Sequence, residues 1–223
     1  MVSVPVLTLD GPSGVGKGSV ARIVADKMGW HLLDSGAIYR GFALAAQSRN
    51  IDFNDEQGLV GLAKKLDLKF ASVEGQELLN VYLDGIEVSK ELRTEQTAEL
   101  ASQLAVIAPL RAALLKKQQQ FEQTPGLVAD GRDMGTVVFP HASYKIYLTA
   151  SAEERAQRRL KQLQNSANAG NISQILAEVK KRDERDASRK HSPLKPAEDA
   201  LIIDTTCLTI DEVIARVMAL IEV

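Results

Sequence analysis

A chain of 223 residues with 45% hydrophobic side chains has the material for one substantial core, and it fits a single domain with insertions better than two independent ones. A net charge of -2, from 27 basic and 29 acidic residues, excludes a global electrostatic reason to bind nucleic acid polymers or anionic membranes, so phosphate affinity has to come from local clusters. The single Cys207 excludes an intrachain disulfide, no run reaches the ~18 apolar residues of a membrane span, and no leader pattern follows Met1, so the expectation is a soluble, monomeric protein of the reducing cytoplasm.

In chain order, the apolar run at 4–9 predicts a buried strand and the pattern at 20–28 an amphipathic helix. Between them stand Gly11, Pro12, Ser13, Gly14, Val15, Gly16, Lys17, Gly18 and Ser19. The glycines permit a bend tight enough for successive N–H groups to point inward, where with the helix N-terminus they form an anion site. Lys17 adds a mobile positive charge for β- and γ-phosphates, and the spacing predicts a nucleoside triphosphate site. The hydroxyl stands at Ser19, with Gly18 directly after the lysine, a displacement that favours kinases of small molecules over motors or switches. The blander reading, a glycine turn with a solvated lysine, is opposed by the flanking strand and helix.

A second strand, carrying His31, is expected to end within 32–40 beside this cradle, because open α/β sheets bind ligands at the carboxyl ends of their strands. Ser35 is placed to hydrogen-bond or to cap the helix predicted at 36–46, and Arg40 on that helix to fork a phosphate. The rhythm changes at 68–88, where Leu68, Phe70, Leu79, Val81 and Leu83 alternate with polar residues and Asp84-Gly85 marks a tight turn, which predicts a small antiparallel insert. One long helix is predicted over 97–121. The strand at 127–129 then runs into Asp130, Gly131, Arg132, Asp133 and Met134. There Asp130 is placed to hold magnesium or to cap a helix, Arg132 to clamp a phosphate and Asp133 to accept from an amino group.

Runs at 145–148 and 201–203 predict two more parallel strands, and helices at 153–163 and 211–221 begin at the capping boxes Ser151/Glu154 and Thr209/Glu212. Arg155, Arg158 and Arg159 open the first of these helices, with Arg155 and Arg159 read as solvated. The Asn, Ala, Ser and Gly of 164–172 suggest a loop in a lid. Beyond it Arg182, Asp186 and Arg189 at i, i+4 and i+7 form one helical stripe, which on its own reads as a surface ion-pair ladder. Strands alternating with helices predict an α/β fold with a parallel sheet covered on both faces. None of His31, His141 and His191 is placed as a general base.

Together the segments GPSGVGKGS (11–19), DSGAIYR (34–40) and GRDMGTVVFP (131–140) resemble those of bacterial cytidylate kinases, in the nucleoside monophosphate kinase superfamily. The resemblance covers nearly the whole chain and implies a P-loop, three-layer parallel-sheet core in one domain, 1–223. That domain would carry a small antiparallel monophosphate-binding insert (62–100) and a helical lid (151–190). It implies transfer of the γ-phosphate of ATP to CMP or dCMP with Mg2+. The cradle, Gly11 to Ser19, would hold ATP; Lys17, Arg132 and Arg158 would serve the transfer. Ser102, Arg111 and Asp133 resemble the groups that read cytosine; Arg40, Arg132 and Arg189 the clamp on the acceptor phosphate; Arg182 and Asp186 those holding the ribose. Ser35 and Arg93 are further candidates for the acceptor. Ser19 and Asp130 are the candidate magnesium oxygens, with Asp10 and Asp34 open beside Asp130. The alternatives are a P-loop kinase of UMP, AMP or shikimate, and a triphosphate-gated binding module.

Overall fold

The computed structural model describes residues 4–71, 80–164 and 171–221. In chain order the elements are β1 (Val6–Asp10), α1 (Lys17–Met28), β2 (His31–Asp34), α2 (Ser35–Ser48), α3 (Glu56–Lys65), β3 (Leu68–Ala71), β4 (Asn80–Leu83) and β5 (Ile86–Glu87). There follow α4 (Ser89–Leu92), α5 (Glu95–Leu104), α6 (Ala108–Gln119), β6 (Leu127–Gly131), a single π-helical turn (Met134–Val138), β7 (Tyr144–Thr149), α7 (Ala152–Gln164), α8 (Ile172–Ala187), β8 (Leu201–Asp204) and α9 (Ile210–Ile221). The chain divides into two compact units, Met1–Leu33 with Phe121–Val223, and Asp34–Gln120.

The first unit is built on a five-stranded sheet in the order β2-β6-β1-β7-β8, with β1 parallel to β6 and β7, and β7 parallel to β8. Every residue of β1 is buried, which requires cover on both faces and explains why Val6, Leu7 and Leu9 do not alternate with exposed polar residues. Val20 and Val24 of α1 and Val213 and Val217 of α9 pack with Leu7, Leu9, Val128, Ile146 and Ile203 into one core. Gly29, in the left-handed region at φ 64°, ends α1, and the Trp30 N–H turns back to the Ala25 carbonyl at 2.9 Å. Of the two predicted capping boxes, Thr209 and Glu212 bond reciprocally, whereas at Ser151 only half forms: the Glu154 N–H reaches Ser151 Oγ at 3.2 Å, but the Ser151 N–H donates to Thr206 Oγ1 and the Glu154 carboxylate accepts from Arg158. The predicted lid loop lies mostly at 165–170, outside the described residues.

The second unit holds the antiparallel sheet β3-β4-β5, turned at Asp84 and Gly85, which both have positive φ as a tight two-residue hairpin demands. Leu79, counted in the alternation, lies outside the described residues. Val81 and Leu92 pack with Ala37 of α2 and with Leu68 and Phe70. The helix expected over 97–121 is instead two, α5 and α6, at 106° to each other. Pro109 in the first turn of α6 is the cause, since it cannot donate to the preceding turn and its ring would collide there. Helix α3, unforeseen, starts at Asp55, whose side chain accepts from the Gly58 N–H at 2.9 Å. Among the described residues no single helix is long and apolar enough to cross a membrane.

Candidate active site

Four carbonyls of the loop between β1 and α1 have donors. The Pro12 oxygen accepts from Lys17 Nζ at 2.9 Å, that of Ser13 from Arg155 Nη1 at 3.2 Å, that of Val15 from Arg158 Nη1 and Thr205 Oγ1 at 3.4 Å, and that of Gly16 from the Val20 N–H at 3.1 Å. A carbonyl held by a donor is kept from turning toward a bound anion, for which a phosphate loop must offer its N–H groups. Gly11 carries φ 148° and a Cβ there would strike the Leu148 carbonyl, so β7 and the loop approach more closely than any side chain allows.

Lys17 is only 6% exposed and stands 3.8 Å from Asp130 Oδ1 at the end of β6. Burial, and then the charge of Arg132, push its ammonium down to about 7, against the pull of Asp130 and Asp10. Asp10 ends β1 and accepts the N–H groups of Met134 and Gly135, both at 2.8 Å, which clips the π-helical turn to the strand. Burial lifts its carboxyl to about 7, opposed by those two amides and Lys17. Asp133, just before the π-helical turn, is buried. A Cβ on Gly18 would meet Asp130 Oδ2 only at an ordinary contact of 3.5 Å, so this glycine lies beside the carboxylate without being required by it, and the oxygen of Ser19 follows at the next position. Among the described residues no three His, Cys, Asp or Glu side chains gather as a metal cage.

Asp186 is 1% exposed and collects the arginines. Arg132 Nε donates to it at 3.0 Å, and Arg189 Nη2 donates to its other oxygen. Burial would raise its carboxyl, but the charges of Arg132, Arg189 and Arg182 outweigh that and hold it below the ordinary value. The expected surface ladder is therefore a buried cluster. Its geometry also differs, because α8 ends at Ala187 and Arg189 lies beyond the cap residue Ser188. One arginine of α7 departs from expectation as well. Arg155, read as solvated, is buried and bonded to Ser13, Ala150 and Asp183. Arg158 donates to Glu154 at 2.9 Å and to the Thr205 carbonyl at 2.6 Å, lying along the outer wall of the cradle.

The remaining candidates belong to the Asp34–Gln120 unit. The cap of α2 is Asp34, not Ser35: its Oδ1 accepts from the Ala37 N–H at 2.7 Å, and its Oδ2 from Arg40 Nη2 at 3.1 Å. A carboxylate committed to a cap and an arginine has little left for a metal ion. Ser35, the first helical residue, is buried and donates to Gln118 Oε1 at 2.7 Å. Gln118 was missed, because a glutamine at the head of three glutamines after two lysines reads as a wet helix face; here it is buried. Ser102, on α5, is buried at 4% exposure, and its Oγ has no hydrogen-bond partner among the described residues. Arg111, on α6, donates to the Ala105 carbonyl at 3.1 Å across the helix break and covers the Tyr39 ring at 5.7 Å. Arg93 is the exposed cap residue of α4.

A central strand flanked by parallel neighbours, a glycine loop with tethered carbonyls and a buried lysine entering the next helix define a P-loop phosphotransferase. The profile described as Cytidylate kinase matches residues 7–223. Cytidylate kinases of Aeromonas salmonicida and Pectobacterium atrosepticum are each 54% identical over 98% of this chain, covering 94% and 96% of their own lengths. The chain belongs to the cytidylate kinase family. Among solved structures, a gluconokinase from Sinorhizobium meliloti aligns at TM-score 0.47 and 14% identity, over 100% of this chain and 94% of that one.

Proposed function

We propose that the protein transfers the γ-phosphate of ATP to CMP or dCMP. The observation that carries a transfer reading is the charge gathered at the carboxyl ends of β1 and β6. There Lys17 feels both Arg132 and Arg182, and Arg132 shares Asp186 with Arg189. Two polyanions brought to contact need that much positive charge, and the same charge would be a burden in a site that held neither. The names of the relatives support cytosine as the base, and the dry hydroxyl of Ser102 supports a ligand that completes its hydrogen bonding.

The chemistry needs no covalent intermediate. An oxygen of the acceptor phosphate bonds to the γ-phosphorus as the bond to the ADP oxygen breaks, so the protein's task is alignment and charge neutralisation. The cradle N–H groups and Lys17 would hold the donor. Arg40, Arg132 and Arg189 are assigned to the acceptor phosphate, Arg182 and Asp186 to the ribose, and Ser102, Arg111 and Asp133 to the base. Ser35 supports Arg40's helix, Arg93 has a lesser role, and Arg158 is assigned to the lid side of the transfer. Asp130 presents a hard oxygen 3.8 Å from Lys17 Nζ and Ser19 a second in the first turn of α1, which fits Mg2+ bound by one or two protein oxygens together with phosphates and water. When bound, the ion would neutralise charge on the β- and γ-oxygens.

Within one functional domain, 62–100 is assigned to monophosphate binding and 151–190 to the lid. The protein is further proposed to be a cytoplasmic monomer, which size-exclusion chromatography checks for its oligomeric part. A coupled assay for ADP across CMP, dCMP, UMP, AMP and shikimate tests the function: CMP or dCMP should exceed the others by ~100-fold in kcat/KM. Preference for another acceptor, or slow hydrolysis unaffected by any acceptor, would overturn the reading.

A further inference from the structure

A phosphate loop discriminates by orientation, since one carbonyl rotated inward would set a partial negative charge against the ligand's oxygens. What holds each carbonyl out is therefore part of the binding site. Pro12 and Gly16 are held by the loop's own lysine and helix, and Val15 only by long bonds at 3.4 Å. Ser13 depends on Arg155, which comes from 142 residues away.

Arg155 is unusually constrained for an arginine. Its side chain is 5% exposed, its Nε donates to the Ala150 carbonyl at 3.1 Å, and its Nη1 and Nη2 form a fork on the Asp183 carboxylate, Nη1 at 2.9 Å. Its Cβ lies 3.2 Å from where a Cβ on Gly14 would stand, so the stem packs directly on the loop. Three anchors fix the guanidinium plane, and the Ser13 carbonyl is set by that plane. We propose that Arg155, locked by Asp183, is a positioning residue for the donor nucleotide: it keeps the cradle in its anion-binding shape without touching the phosphates. The inference rests on the cradle being the donor site.

Asp183 adds a consequence. It sits on α8 next to Arg182 and one turn before Asp186, so a half-buried ion pair links the helix carrying the arginine cluster, through Arg155, to the phosphate loop. A lysine at 155 would keep the charge yet could not serve Ser13, Ala150 and Asp183 from one ammonium.

The test uses the full chain with Arg155→Met, which keeps an apolar stem, and Asp183→Asn, which keeps shape and removes the charge. KM for ATP and for CMP are measured separately, with a direct titration of a fluorescent ATP analogue and a thermal melt. Arg155→Met should raise KM for ATP and the analogue Kd at least ~10-fold, and Asp183→Asn about threefold, with KM for CMP within twofold of the parent. Unchanged ATP terms in Asp183→Asn, or ATP and CMP terms rising by one factor, would overturn the proposal; Asp183→Asn alone decides if Arg155→Met does not fold. A parent that binds the analogue but phosphorylates no acceptor overturns the function and leaves the Kd comparison standing. A parent that binds no nucleotide overturns both.

Discussion

Replacing Lys17 with methionine should make the protein more stable and nearly inactive. Burial moves its ammonium from the ordinary 10.5 to about 7. At about 1.4 kcal/mol per unit, holding the charge in the folded chain at or below neutral pH costs on the order of 3–5 kcal/mol. The sign follows from proton counting. Between about 7 and 10.5 the unfolded chain keeps a proton that the native state has released, so stability rises with pH through that window and the burden is greatest below it. Asp10, raised to about 7, acts oppositely but at lower pH: its contribution is present below its unfolded value of 3.8 and is lost as pH rises to about 7. Measurements above pH 7.5 therefore isolate the lysine. Methionine keeps the stem and loses the Pro12 carbonyl bond, worth about 1 kcal/mol. Urea unfolding followed through the single Trp30 should show Lys17→Met ~2–4 kcal/mol more stable at pH 7, with a flatter profile from pH 7.5 to 10, while kcat falls by ~10³. If attraction to Asp130 outweighs burial, the variant will instead unfold at lower urea than the parent, and the reasoning fails.

Ser102→Ala should leave the melting temperature unchanged or slightly raised, because the hydroxyl it removes is buried without a partner among the described residues, yet lower kcat/KM for CMP by ~10-fold. A clear loss of stability in a melt would show that the hydroxyl is structural. Asp133→Ala should fold and lose its preference for CMP over UMP, read as the ratio of the two kcat/KM values; an unchanged ratio would remove Asp133 from base recognition. Gly11→Ala meets the Leu148 carbonyl and should cost upward of ~3 kcal/mol in urea unfolding, whereas Gly16→Ala, with nothing within 4 Å of the new Cβ, should cost only the ~1–2 kcal/mol of its positive φ. Equal costs would mean that φ, not close approach, dictates both glycines.

Periodicity and local chemistry carried far. The strands around 4–9, 127–129, 145–148 and 201–203 needed only small shifts at their ends, and the Asp84-Gly85 turn and the Thr209/Glu212 capping box follow from neighbours a few residues apart. The split at 105–107 was signalled by Pro109 and lost to the helical pattern on either side. Other features have no local signal at all. Gln118 meets Ser35 across 83 residues, Asp10 meets the 134–135 amides across more than 120, and Arg155 meets Ser13 across 142. In a charged helix a buried arginine and a solvated one look alike until the chain folds back on them. The same holds for Arg189, which the i, i+7 spacing put on α8 and which reaches Asp186 from beyond its end.

The strand order also sets a timetable for synthesis. β1 sits at the centre of its sheet, but of its neighbours β6 begins about 120 residues later and β7 later still, so the emerging N-terminal strand has no partner until β6 leaves the ribosome. At ~5–20 residues per second that is a wait of roughly 6–24 s, during which a strand carrying Val6, Leu7 and Leu9 stays exposed. The intervening Asp34–Gln120 unit, with its own hairpin and apolar cluster, can close in the meantime. The N-terminal strand is therefore the segment a chaperone should cover first, and slowing translation between residues 34 and 120 should lower the yield of soluble protein more than the same delay after residue 150.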